Sequence, residues 1–191
     1  MPRPFIVISG LPASGKTRLG KRIADAFALP LIDKDEILES LFSGSETADG
    51  ASRMILSRRS DVLFEERARR SDGAVLVSFW HVRGMPMESG TPTAWLHQLR
   101  GPIAHVRCVC SPELATRRFA SRIRHSHHLD ALKSSDAIAK SFGDLARLGP
   151  LDLPPQIDVD TTADPDLAPL VATLRAILAC CPPETSTPPS S

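Results

Sequence analysis

No apolar run in this 191-residue sequence is long enough to span a bilayer, which argues against a helical membrane protein. Charge of one sign is missing too. The 23 Lys and Arg stand against 22 Asp and Glu, for a formal net charge of +1. No global field therefore draws the chain to DNA, RNA or an anionic membrane surface, and a nucleic-acid contact needs a local patch. Cysteine is scarce: the 4 present fall as Cys108-Val109-Cys110 and Cys180-Cys181, spacings of neither a zinc ribbon nor a disulfide framework. Cys108 and Cys110 read as small core residues of a strand. The N-terminus leads straight into the first strand and leaves no room for a signal peptide. A reduced, cytoplasmic protein is the expectation. No internal repeat is visible.

What is present is a 42% hydrophobic share, enough for one globular domain, expected over residues 1–181. The Pro-, Ser- and Thr-rich tail 182–191 is expected to be disordered. Directly after the apolar run Phe5-Ile6-Val7-Ile8 comes Gly10-Leu11-Pro12-Ala13-Ser14-Gly15-Lys16-Thr17. It fits G-x-x-x-x-G-K-[ST], the phosphate-loop (Walker A) form, at every fixed position. Gly10 and Gly15 permit dihedrals that turn successive N–H groups inward as an anion nest. The helix beginning near Lys16 adds its positive dipole end. Lys16 neutralises β and γ phosphates, and the Thr17 hydroxyl is placed to ligate Mg²⁺. With the adjoining Arg18, these eight residues form the expected nucleotide-binding set, and ATP with Mg²⁺ is the expected ligand.

Leu19, Ile23 and Phe27 recur every four residues, as in an amphipathic helix packed on a sheet. Further strands are expected at Leu31-Ile32, Ala74 to Phe79, Ile103 to Cys110 and Gln156 to Asp160. Between them lie helical patterns near Ile37 to Phe42, Arg53 to Arg70, Ala94 to Leu99, from Pro112 with Ser111 as its cap, and Ser135 to Leu148. The stripe Leu167, Leu170, Val171, Leu174, Ile177 and Leu178 is a last helix. Residues 43–50 read as a mobile loop, and no periodicity organises 81–92. Strands alternating with helices imply an α/β, three-layer P-loop fold with a five-stranded parallel sheet. Its site lies at the carboxyl ends of the strands.

Asp33 and Asp35 emerge there, two apart, so in an extended backbone both carboxylates face the same side. A carboxylate so placed orients an attacking hydroxyl and accepts its proton, while a second one holds a Mg²⁺ ligand water. The plainer reading is that Asp33-Lys34-Asp35-Glu36 caps and decorates the next helix. Either aspartate qualifies as the base; Thr17 and Asp33 are the expected metal residues.

Ser9 to Thr17, Asp33-Lys34-Asp35-Glu36 and the Arg-bearing helix after Ser111-Pro112-Glu113 together resemble the small P-loop kinases. The group holds chloramphenicol phosphotransferase, zeta-type toxins and the kinase domain of polynucleotide kinase, often catalogued as AAA-type ATP-binding proteins. The similarity covers most of residues 3 to 180. It implies an adenylate-kinase-like strand order, with the second strand at the edge and the first central. It also implies that Asp35 matches the general base, that residues 36–70 bind the acceptor, and that about 117–130 form a lid. Two positions depart from the group. The third strand ends in Ser78-Phe79-Trp80-His81 where relatives often carry a metal-binding acid, and Ile37-Leu38 stand where the polynucleotide-kinase branch tends to have Arg.

Among Arg117, Arg118, Arg122 and Arg124, the pair Arg118 and Arg122 is favoured to neutralise the transferred phosphoryl group. A solvated helix face is the competing reading. His125, His127 and His128 lack partners at zinc spacing. Arg58, Arg59, Arg67, Arg69 and Arg70 with Glu65 and Glu66 suggest an ion-paired surface helix. Trp95 reads as packing, and Trp80 reads equally as packing or as pocket wall. The expected activity is transfer of the ATP γ phosphate to a hydroxyl of a small molecule. A nucleoside or polynucleotide 5′-hydroxyl kinase is one alternative, and an ATP-binding module acting through a protein partner is another.

Overall fold

A computed structural model describes residues 3–42, 50–121 and 134–180. The chain runs β1 (Phe5–Gly10), α1 (Lys16–Phe27), β2 (Leu31–Asp33), α2 (Lys34–Phe42), α3 (Gly50–Arg70), β3 (Ala74–Val77), β4 (Ile103–Val109), α4 (Pro112–Ala120), α5 (Ser135–Arg147), β5 (Gln156–Asp160) and α6 (Leu167–Cys180). The short helix expected from Ala94 is a 3-10 helix, Ala94–Gln98. All five strands are parallel in the order β2-β3-β1-β4-β5, with Ile8 of β1 in register with Val77 on one side and Val106 on the other. The first strand is central and the second lies at the edge, as the resemblance implied.

Each face of a parallel sheet must be covered, and the strand alternation sorts the side chains accordingly. Ile6, Ile8, Val75, Val77, Ala104 and Val106 face α1 and α6, where Leu19, Ile23, Leu170 and Leu174 complete one core. Phe5, Val7, Ala74 and Leu76 face the other way, against Phe64 of α3 with Trp80, Trp95, Leu151 and Leu153. Phe64, Trp80 and Trp95 form an aromatic triangle with centroids 5.6 to 6.1 Å apart. Trp80 is thus mainly packing: it is buried, and its indole N–H donates to the Ile8 carbonyl at 2.8 Å. Trp80→Phe keeps most of the contact and loses that bond. It is expected to cost about 1–2 kcal/mol in urea unfolding at unchanged m-value.

Two expectations about the strand ends are corrected. β3 stops at Val77 rather than Phe79, because the Ser78 and Thr91 hydroxyls bond at 2.6 Å and the backbone turns away. The segment 81–92 is organised after all: Thr91 N–H donates to Phe79 C=O at 2.7 Å and His81 N–H to Thr91 C=O at 2.9 Å, clasping the loop across the end of β3. Likewise α2 begins at Lys34, not near Ile37, so the backbone is no longer extended at Asp35.

His105 of β4 is fully buried beside Ser9, with its Nε2 2.6 Å from the Ser9 hydroxyl. Burial, reinforced by the Arg107 charge, pushes its pKa down to about 4 from the usual 6.5. The folded chain therefore holds His105 neutral while the unfolded chain protonates it. Between those two values the unfolded state binds the extra proton, so stability falls as pH drops through this window, by about 3 kcal/mol in the limit. Urea midpoints measured from pH 7 to pH 4 are expected to fall in the wild type and to lose this component in His105→Gln. Burial also pushes the Cys108 thiol up to about 12, in keeping with an inert core residue.

Candidate active site

The phosphate loop joins β1 to α1 through three residues of positive φ: Gly10 (137°), Ala13 (60°) and Gly15 (97°). Only glycine suits the first, since a Cβ there would stand 2.5 Å from the Cys108 carbonyl oxygen. Gly15 is the N-cap of α1 and supplies no side-chain cap, so the amides of the first turn stay open at a positive helix end. Lys16 arches back over the loop and donates to the carbonyls of Leu11 at 2.8 Å and Gly10 at 3.2 Å. The Ser14 hydroxyl is buried and has no hydrogen-bond partner among the described residues. Open amides and an ammonium at one concavity fit a polyphosphate.

Asp33, at the end of β2, is only 4% exposed and does two things. Its Oδ2 accepts the Thr17 hydroxyl at 2.7 Å, and its Oδ1 accepts the Asp35 amide at 2.9 Å, which caps α2. The capping interpretation and the metal interpretation thus describe the two oxygens of one carboxylate. Burial raises the Asp33 pKa above the ordinary carboxylate value, the nearby Asp35 charge adds to this, and the Thr17 bond opposes it. The Thr17–Asp33 pair fits a Mg²⁺ site: a hydroxyl oxygen beside a carboxylate, next to the phosphate nest. Among the described residues, no group of three or more His, Cys, Asp or Glu could hold a metal, so any Mg²⁺ must draw other ligands from phosphate and water. Asp35 lies exposed in the first turn of α2.

These residues share one cavity of about 510 Å³. Pro12, Lys16 and Thr17, then Asp33, Lys34 and Asp35 after β2, and Arg53, Ser57 and Arg58 of α3 all line it. Met85, Glu88 and Ser89 of the clasped loop and Phe142 of α5 close the remainder. Leu11 instead packs with Phe119 and Phe142, behind the loop.

Arg118 is not brought into that cavity. Its guanidinium donates to the carbonyls of Thr161 at 2.9 Å and Thr162 at 2.8 Å, beyond β5. It lines a second cavity of about 490 Å³ with Gly15, Arg18, Arg22 and Asp164, where Asp164 pairs with Arg18 and Arg22 at 3.0 Å each. The phosphate loop lies between the two. Arg122, Arg124, the three histidines at 125, 127 and 128, and most of the expected lid lie outside the described residues.

The inward arginines of α3 were missed. The ion-paired pattern does hold at the helix C-terminus, where Arg69 pairs with Glu65 at 2.7 Å and Arg70 with Glu66 at 3.4 Å. At the N-terminal half the same residue type lines the cavity. The available signal was the absence of an acid three or four positions after Arg53.

A phosphate nest at the end of a central strand, in a sheet of this order with carboxylates after the edge strand, defines a small P-loop kinase fold. Residues 5–141 match the AAA domain family, and the chain belongs to it. A crystal structure from Chloroflexus aurantiacus, provisionally described as a kinase, superposes with a TM-score of 0.77 at 26% identity, covering 93% of this chain and 100% of that one. A gluconokinase from Sinorhizobium meliloti shares the fold at a TM-score of 0.54 and 22% identity, over 92% of this chain and 91% of its own. A shikimate kinase of Corynebacterium jeikeium is 56% identical over 36 residues, which is 19% of this chain and only 20% of that enzyme. No helix among the described residues is long and apolar enough to cross a membrane.

Proposed function

We propose that the protein is an ATP- and Mg²⁺-dependent kinase that transfers the γ phosphate to a hydroxyl of a small molecule. The observation that supports this best is the shared cavity, lined by the phosphate loop, the two aspartates after β2 and α3. Its volume of about 510 Å³ suits a small ligand beside a terminal phosphate. The short matches to shikimate kinases support a small hydroxylated acceptor.

In this reading Lys16 leaves the Gly10 and Leu11 carbonyls for the β and γ phosphate oxygens, which the open amides of α1 also bind. The Thr17 hydroxyl turns from Asp33 to the metal, and Asp33 holds one of its water ligands. A Mg²⁺ held there would neutralise charge developing on the β and γ phosphates. Asp35 orients the acceptor hydroxyl and takes its proton as the new O–P bond forms and the bond to the β-phosphate oxygen breaks. Arg118, held at the loop after β5, serves the base side of the nucleotide, and Arg122 is left as the lid arginine.

The test is transfer of label from γ-labelled ATP, with Mg²⁺, into a pooled metabolite extract and, separately, into 5′-hydroxyl oligonucleotides. Label is expected in the small-molecule fraction. Label on oligonucleotides alone would move the acceptor to nucleic acid. ATP binding with no labelled product in either pool would overturn the kinase reading.

A further inference from the structure

The α3 wall of the cavity carries positive charge that the described residues neutralise only in part. Arg53, Ser57 and Arg58 line the cavity together; Arg53 and Ser57, four apart, share a face of the helix, and Arg58 lies at its edge. Arg53 has no hydrogen bond or ion pair among the described residues, and its Nε is buried without a partner. The charges around it are already committed. Lys34 sits 2.5 Å from one oxygen of Asp61, and Arg58 is 3.5 Å from the other. Three cations thus share one carboxylate on this side, an excess of two positive charges. A guanidinium whose N–H groups are withdrawn from water without an acceptor is costly. The same helix pairs its Arg69 and Arg70 with acids.

Elsewhere in the lining the sign reverses. Asp33 and Asp35 are carboxylates, and the Glu88 side chain, exposed on the clasped loop, is the remaining acid lining the cavity. A ligand that is uniformly neutral uses neither set of charges fully. A ligand with a hydroxyl at one end and an oxyanion at the other matches both, because the aspartates repel the oxyanion and the arginines attract it.

We infer that Arg53 and Arg58, with the Ser57 hydroxyl as an added donor, form an oxyanion subsite, and that the acceptor is a small alcohol bearing a second, anionic group. That group is a carboxylate or a phosphate monoester, since the planar fork of Arg suits both. The inference rests on the kinase reading for its hydroxyl end only. The subsite holds the acceptor with its hydroxyl toward Asp35, which makes Arg53 and Arg58 binding and positioning residues.

Two measurements test it, one of them independent of catalysis. First, malonate and inorganic phosphate are titrated onto wild-type protein saturated with Mg·ADP, which keeps the phosphate loop filled. One of them is expected to bind, and Arg53→Gln and Arg58→Gln are each expected to weaken it about tenfold or more while leaving ADP affinity unchanged. Arg53→Lys is expected to restore part of it. The anion that binds distinguishes a carboxylate from a phosphate subsite. Secondly, the labelled product from the metabolite extract is separated by charge before and after phosphatase. It is expected to carry an anionic group besides the transferred phosphate, and the two variants are expected to raise its KM about tenfold or more with KM for ATP unchanged. A labelled product whose only anionic group is the transferred phosphate overturns the inference. So does failure of both anions to bind, or a loss confined to kcat. Anion binding without any labelled product would sink the kinase reading and leave the subsite standing.

Discussion

Lys16→Met is expected to lower kcat/KM for phosphoryl transfer by about a thousandfold or more, with the fold intact. The ammonium is half-buried at the phosphate nest and already directed inward by the Gly10 and Leu11 carbonyls. Methionine keeps the length and apolar stem of the side chain, so the packing of α1 should survive. What disappears is the charge that follows the γ phosphate from the ground state into transfer. Part of the loss should appear in nucleotide affinity and part in kcat, because the lysine contacts phosphate in both states. Single-turnover rates at saturating Mg·ATP, beside equilibrium ATP binding, separate the two. A variant with wild-type turnover would exclude the loop as the site of transfer.

The next largest effect is expected at Asp35. Asp35→Asn should reduce kcat by about two to four orders of magnitude, the usual range for a positioned general base, with ATP affinity little altered. Its side chain is exposed in the cavity and makes no contact to the loop that would hold nucleotide. Asp33→Asn should behave differently. Asp33 accepts the Thr17 hydroxyl and caps α2; asparagine can still cap the helix, so this replacement is expected to raise the Mg²⁺ concentration needed for half-maximal activity with the helix start retained. Titrating Mg²⁺ against both variants assigns the roles. If Asp33→Asn loses only kcat and Asp35→Asn loses only metal dependence, the two assignments must be exchanged.

Much of this site is written locally. The phosphate loop needs eight consecutive residues, and the strand before it and the helix after it lie in the same short stretch, so its chemistry could be read directly. The layered α/β order follows from alternating periodicities. What escaped depends on distant partners. β3 was expected to continue through Phe79 because the residues are apolar, and only the hydroxyl pairing of Ser78 with Thr91, thirteen positions on, stops it. The start of α2 was misplaced because Asp33 can end a strand and cap a helix with the same carboxylate. Helical periodicity shows that one flank of α3 is polar, but not that its first half borders a cavity while its second half borders water. Arg118 follows the same logic: its partners are carbonyls 43 and 44 residues later, which no spacing within α4 reveals.

One short helix touches both chambers. In α4, Arg118 reaches the cavity beside Arg18, whereas its neighbour Phe119 lines the cavity above Asp35 and meets Phe142 of α5 edge-on at 5.5 Å. A helix that turns as a rigid rod cannot shift one of these side chains without the other. In the proposed reading, with nucleotide in one chamber and acceptor in the other, α4 is the element that borders both ligands. By reciprocity, whatever factor the nucleotide contributes to acceptor affinity, the acceptor must return to the nucleotide.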